Sequence, residues 1–263
     1  MLINLEINKK FWFITAISAL VASLWGVINP EIYKNVADPN VIPGMIAQDL
    51  MTIAAGVILL LFSLLKTKNS KIQIIPLSLL GYLFYGYAIY GIEQIYNSWY
   101  IVYLVIMALS FWGLIYGLLS MNSKAVQSFQ PARWLKFLTA GFSVFIPLLF
   151  YLLWIFQLIP LMQNGERIEY TFSIFILDMV FVLPAFLISA FLILKKNVLG
   201  YVFATMLFFK AFTLLFSVGL GALIKPLYNQ AANTSEGFFY IILSLIFLGL
   251  AVLNYIKLNI ADK

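Results

Sequence analysis

The sequence contains no cysteine and no histidine. Their absence excludes disulfides, thiol nucleophiles, thiolate or imidazole metal sites, histidine-ligated haem and imidazole acid–base catalysis. Charge is nearly as scarce, at 10% of the 263 residues, where an ordinary globular protein carries about 25%. With 63% apolar residues and a mean hydropathy of +1.00, a soluble enzyme is excluded and the expected solvent is a lipid bilayer. A Walker-type glycine loop, an HExxH-type zinc motif and a dinucleotide fingerprint are also missing, so no cofactor and no metal is expected.

What is present is a series of long apolar runs. Runs of about 20 residues, the length a helix needs to cross ~30 Å of hydrocarbon, lie near residues 11–29, 46–65, 73–92, 99–121, 135–159, 172–194, 198–223 and 237–256. The expected fold is therefore all-α, a single polytopic membrane domain of eight transmembrane helices. The connectors are short and polar, such as 66–71 and 195–197, and leave no room for a separate soluble domain. The first run ends in Asn29-Pro30-Glu31 rather than a small-residue cleavage site, so it is expected to stay as a span.

The basic residues are one-sided when sorted by connector. With the N-terminus cytoplasmic, that side receives Lys9, Lys10, Lys66, Lys68, Lys71, Lys124, Arg133, Lys136, Lys195, Lys196, Lys257 and Lys263, and the other receives Lys34, Arg167 and Lys225. Cytoplasmic connectors carry the excess of Lys and Arg, so both termini are expected inside. The net charge of +6 is then a topology signal, and the expected partner is the bilayer and not nucleic acid. The acids run the other way, with Glu31, Asp38, Asp49, Glu93, Glu166, Glu169, Asp178 and Glu236 at or near the outer side. The Ile-, Asn- and Lys-rich style points to a prokaryotic plasma membrane.

The two halves, 1–125 and 126–263, share a pattern. Asp49 is followed 17 positions on by Lys66, and Asp178 is followed 17 positions on by Lys195. Gly81-Tyr82-Leu83-Phe84 in span three matches Gly200-Tyr201-Val202-Phe203 in span seven, and Phe13-Ile14-Thr15-Ala16 in span one matches Phe137-Leu138-Thr139-Ala140 in span five. Pro30 and Pro160 precede the two aspartates by 19 and 18 positions. Two parallel four-helix repeats are expected, because an even number of spans per repeat leaves both copies in the same orientation.

A bilayer tolerates few of the polar residues in these runs without a reason. Lys210 sits within Leu207-Phe208-Phe209-Lys210-Ala211-Phe212, where an unpaired ammonium costs roughly 2.5–3.5 kcal/mol on insertion scales. Counting ~1.5 Å per residue from the 195–196 connector places Asp178 and Lys210 at similar heights on neighbouring antiparallel helices. A direct Asp178–Lys210 pair is expected, either as a switchable ligand site or as an ion pair fixing helix register. A site at the interface of the halves would combine Asp178 and Lys210 with Asp49 and Glu93, favouring a cationic or proton-coupled ligand. Asp49 and Glu93 are also readable as ordinary span-end residues.

Tyr82, Tyr85, Tyr87, Tyr90, Tyr96, Tyr100 and Tyr103 form a dense outer-leaflet group, expected as an interfacial belt or as a stacking surface in which Tyr85 and Tyr90 contact ligand. Pro147 and Pro184 interrupt spans five and six. Gly86/Gly91 and Gly113/Gly117 suggest helix packing. Asn233-Thr234-Ser235 matches a glycosylation acceptor.

The stretch containing Asp178, Pro184, Lys195-Lys196, Gly200-Tyr201, Lys210 and Thr213-Leu214 resembles hypothetical polytopic membrane proteins of prokaryotes. The resemblance covers roughly 40 residues and implies a multi-pass membrane protein without specifying an activity. The layout of a lone lysine in the seventh span with a carboxylate at its depth is also similar to that of retinal proteins, from which the eight spans and the paired halves depart. Three functions follow as expectations. The first is a small-solute or ion transporter with an intramembrane Asp–Lys site. The others are a non-catalytic membrane subunit or sensor with a structural ion pair, and a membrane-embedded lipid-modifying enzyme using outer-leaflet acids.

Overall fold

The computed structural model describes residues 2–66, 69–122 and 132–258. Lys68, Lys124, Lys263 and the 125/126 boundary between the expected repeats lie outside the described residues. Eight helices are long and apolar enough to cross a membrane, and no strand occurs among the described residues. They are α1 (Leu5–Ile28), α2 (Ile42–Leu64), α3 (Ile74–Ile92), α4 (Tyr100–Leu119), α5 (Arg133–Asn164), α6 (Ser173–Leu194), α7 (Leu199–Ile224) and α8 (Thr234–Lys257). All-helical architecture is what an apolar solvent permits, because a helix satisfies its own backbone polar groups. The exposed faces carry Leu, Ile, Val and Phe along their whole length, for example Phe145, Leu152, Phe156, Ile188 and Phe191. Such faces fit a multi-pass membrane protein and would be an aggregation hazard in water.

The packing follows a simple plan. Helix α1 packs on α2 and α4, α3 on α4, α5 on α6, α6 on α7, and α7 on α8. Across the halves α2 and α3 both pack on α7, and α3 meets the start of α6. Close approach depends on missing side chains at two crossings. A Cβ on Gly221 would lie 2.8 Å from Gly44 Cα, and one on Gly219 would lie 2.9 Å from the Gly237 carbonyl oxygen, so α7 touches α2 and α8 backbone to backbone.

Helix ends depart from the sequence reading in instructive ways. Helix α5 continues through Pro160 to Asn164, five residues past the expected end, and stops where Gly165 adopts a left-handed C-cap with φ +67°. Proline removes only its own N–H and kinks a helix without obliging it to stop. Helix α2 begins at Ile42, ahead of the expected 46, so Asp49 lies at the start of its third turn, and α6 begins at Ser173 with Asp178 in its second turn. Asn233 serves as the N-cap of α8, its side-chain oxygen accepting from the Glu236 N–H at 3.3 Å.

Candidate functional site

Helix α6 is not regular around Asp178. Residues Asp178–Val182 form a single π-turn in which the Leu183 N–H donates to the Asp178 carbonyl, five residues back. Pro184 follows directly, and as it has no N–H and crowds the preceding turn, the wide turn is where the helix absorbs it. The register shift leaves the Met179 carbonyl without its usual helical partner. Tyr151 of α5 fills the vacancy, its hydroxyl donating to Met179 O at 2.9 Å. Tyr151→Phe is therefore expected to cost about 1–2 kcal/mol, the range for a part-buried acceptor left unsatisfied. A thermal-unfolding midpoint in detergent equal to that of the natural protein would show that water supplies the bond instead.

The Asp178 carboxylate, 9% exposed, has two donors. Tyr85 of α3 donates its hydroxyl to Oδ1 at 2.9 Å, and Trp154 of α5 donates its indole N–H to Oδ2 at 3.1 Å. Lys210 of α7 lies over the face of the same Tyr85 ring, with Nζ 3.6 Å from the centroid, in cation–π geometry. Among the described residues the ion pairs are Lys9 with Glu6 and Lys34 with Glu31, so the expected direct Asp178–Lys210 pair is absent. Tyr85 touches both charges, its hydroxyl on the anion and its ring face on the cation. Depth counting along two helices was blind to a third helix, α3, whose Tyr85 meets both residues.

A cavity of about 780 Å³ leads to this carboxylate from the end of the bundle opposite the termini. Its walls come from both halves, with Gly44 and Gln48 of α2, Tyr85 and Tyr90 of α3, Trp154 of α5, and Ser217 and Gly221 of α7. Five carboxylates line it, Asp38, Glu93, Glu169, Asp178 and Glu236, against two ammonium groups, Lys34 and Lys225. A concave chamber of this size with a few convergent polar groups has the dimensions of a small-molecule site. The excess of acids gives it a negative potential.

Glu93 is one of the walls and also a clasp. Its two carboxylate oxygens accept from the Thr171 N–H at 3.0 Å and the Ser173 N–H at 2.8 Å, joining the end of α3 to the first turn of α6. A carboxylate on the free N–H groups of a helix start is electrostatically well placed. Its oxygens therefore already have partners within the fold.

Asp49 does not line the cavity. It is 2% exposed and accepts from the Tyr33 hydroxyl at 2.7 Å. Burial, followed by the neighbouring Tyr90 and Asp49, holds the Tyr33 hydroxyl far above the ordinary tyrosine range, so it remains a neutral donor. The tyrosines expected as a belt are mostly interior. Tyr82, Tyr85, Tyr87, Tyr90 and Tyr103 are buried and Tyr96 is exposed at 62%. Tyr87, Tyr90 and Tyr103 pack ring against ring, with centroids 5.0–5.7 Å apart. Tyr90 also donates to the Met45 carbonyl at 3.3 Å and forms part of the cavity wall. Tyr82, Tyr85, Tyr87 and Tyr90 lie on α3, the most buried of the eight helices, and Tyr103 lies on α4.

The structure thus brings Asp178, Lys210 and Tyr85 together, puts Tyr90 and Glu93 on the same cavity, and sets Asp49 apart. Sequence reasoning missed Trp154, Tyr151 and Tyr33. Trp154 carries the one readable signal, an indole N–H inside the leucine-rich fifth run, where a donor needs a partner. Comparison of the chain with protein-family models, with curated proteins and with solved structures gives no match.

Proposed function

We propose that this chain is an integral membrane protein that binds and moves a small cationic solute or proton, with Asp178 as the floor of its binding chamber. The observation that carries the reading is the convergence of five carboxylates from both halves on one open cavity that ends at Asp178. A cation entering there exchanges water for carboxylate oxygens, and the Tyr85 and Trp154 bonds keep the Asp178 carboxylate oriented. The positive-inside distribution of Lys and Arg supports an external mouth for the cavity and cytoplasmic termini, in a prokaryotic plasma membrane.

The same reading includes a parallel 4+4 repeat, and the helix packing supports it. Exchanging α1–α4 for α5–α8 maps the pair α1–α2 onto α5–α6, α3–α4 onto α7–α8, α2–α3 onto α6–α7 and α1–α4 onto α5–α8. It also maps the cross-contact α2–α7 onto α3–α6 and leaves α3–α7 in place. A pseudo-twofold axis between α3 and α7 would put the chamber at the interface of the repeats, where transporters built this way hold their substrates.

The absence of cysteine makes the test clean. In Gln48→Cys and Ser217→Cys, a membrane-impermeant maleimide is expected to label the thiol only when added at the cavity side. Lys210→Cys, shielded by Tyr85, is expected to stay unlabelled from that side. In proteoliposomes on a solid-supported membrane, concentration jumps of alkali ions, protons and small amines are expected to give a current with at least one of them, lost in Asp178→Asn. Failure of both cavity cysteines to label, or the absence of current across the series, would reject the transport reading. Labelling without current would leave a ligand-binding sensor as the better account.

A further inference from the structure

Lys210 faces a second space. Below Tyr85 lies a cleft of about 340 Å³ between α3, α4, α6 and α7, with walls that include Leu77, Leu114, Leu118, Phe181, Ile188 and Met206. Gly81 leaves room within it, since a Cβ there would meet Leu114 and Lys210 only at an ordinary 3.9 Å. Phe181 and Ile188, on its α6 rim, are 43% and 56% exposed in the middle of an apolar helix, so in a bilayer the mouth opens sideways to hydrocarbon.

Three polar side chains touch the cleft, and two of them are already occupied. Ser78 donates to the Ile74 carbonyl, and the Tyr85 hydroxyl donates to Asp178. Lys210, 6% exposed, makes no hydrogen bond and no ion pair through Nζ among the described residues, and rests only on the Tyr85 ring. An ammonium has three N–H donors, and a ring face satisfies the charge better than it satisfies the donors. The unmet requirement is an anionic acceptor that arrives with a hydrocarbon body.

We infer that this cleft is a binding site for a single-chain lipid anion of the fatty-acid class, its carboxylate on Lys210 and its chain along the walls of α3, α4, α6 and α7. Charge selects the head, because a cationic amphiphile would face the ammonium and a neutral alcohol would leave it uncompensated. Depth selects the single chain. Lys210 is the twelfth of 26 residues in α7, so a ligand head must be carried to mid-helix, and a carboxylate is a far smaller burden there than a hydrated phosphodiester with its glycerol. The inference rests on the bilayer reading of the exposed helix faces and is independent of what the acidic cavity transports.

The test uses the full-length protein in nanodiscs of zwitterionic phosphatidylcholine, photolabelled with a diazirine-bearing palmitate and mapped by mass spectrometry. Adducts are expected within 77–85, 111–118 and 181–188, displaced by palmitate at least about tenfold better than by hexadecanol, which has the chain without the charge. In Lys210→Met that preference is expected to fall to about twofold or less while cleft labelling persists. Gly81→Leu, which fills the cleft and keeps the lysine, is expected to lose the labelling. Equal displacement by acid and alcohol in the natural protein, adducts confined to other faces, or stronger displacement by phosphatidylglycerol than by palmitate would each overturn the assignment. If Gly81→Leu does not fold, the acid–alcohol comparison in the natural protein decides alone. The cavity-cysteine labelling is unaffected by any of these outcomes, so the two readings fail separately.

Discussion

Asp178→Ala is expected to lower stability by about 3–5 kcal/mol, the range seen when one partner of a buried charge network is removed. The two lost hydrogen bonds, from Tyr85 and Trp154, account for only part of it, since such bonds within membranes average about 0.6 kcal/mol each. The larger share comes from Lys210, which loses the attraction of its nearest counter-charge, so that its insertion cost of roughly 2.5–3.5 kcal/mol is met by the Tyr85 ring alone. The double variant Asp178→Ala/Lys210→Met is therefore expected to recover most of the loss, and Lys210→Met alone to be neutral or stabilising. Thermal or denaturant unfolding of the four proteins in one detergent measures the cycle. If the two single effects simply add, the charges are not coupled through Tyr85 and the site is two unrelated groups.

The second large effect is expected at a residue with no polar atom in its side chain. In α1 a Cβ on Gly26 would collide with Asp49 Oδ2 and lie 2.6 Å from the Tyr33 hydroxyl. No rotamer change at Gly26→Ala relieves this, so the short Asp49 side chain must abandon its bond to Tyr33 or α1 must move away from α2. Overpacking and a broken buried bond together are expected to cost about 2–4 kcal/mol. Gly141→Ala is the matched comparison, because nothing lies within 4 Å of its Cβ, and it is expected to stay within about 1 kcal/mol of the natural protein. Equal unfolding midpoints for the two variants would show that the Asp49–Tyr33 contact contributes nothing.

The all-helical architecture was legible in the sequence because hydrophobic length is a local property. Each of the expected runs overlaps one helix, and the errors fall at ends such as Asn164, where a glycine and not a proline decides the stop. That Asp178 and Lys210 belong to one neighbourhood was legible for the same reason, since rise per residue is fixed along a helix and both contact Tyr85. What was not legible is lateral. That Tyr85 meets both charges, that Trp154 and Tyr151 reach α6, and that Asp49 turns to Tyr33 and away from the cavity all depend on how helices rotate and cross. Side chains from four or five runs meet there without leaving a periodicity in any one of them. The tyrosines of α3 illustrate the limit, because belt and core residues share one composition and differ only in which way the helix faces.

Helix α5 carries a further implication in its length. At 1.5 Å per residue its 32 residues extend ~48 Å, well beyond a hydrocarbon layer of ~30 Å. A stretch that long is accommodated by lying obliquely or by bending, and Pro147 and Pro160 supply two places to bend. Helix α5 also bears Trp154 and Tyr151, so its inclination sets the angle from which two donors reach Asp178 and Met179. In a bilayer, lipid thickness would thereby become a variable of the site itself, with thinner and thicker membranes pressing on the same lever from opposite directions.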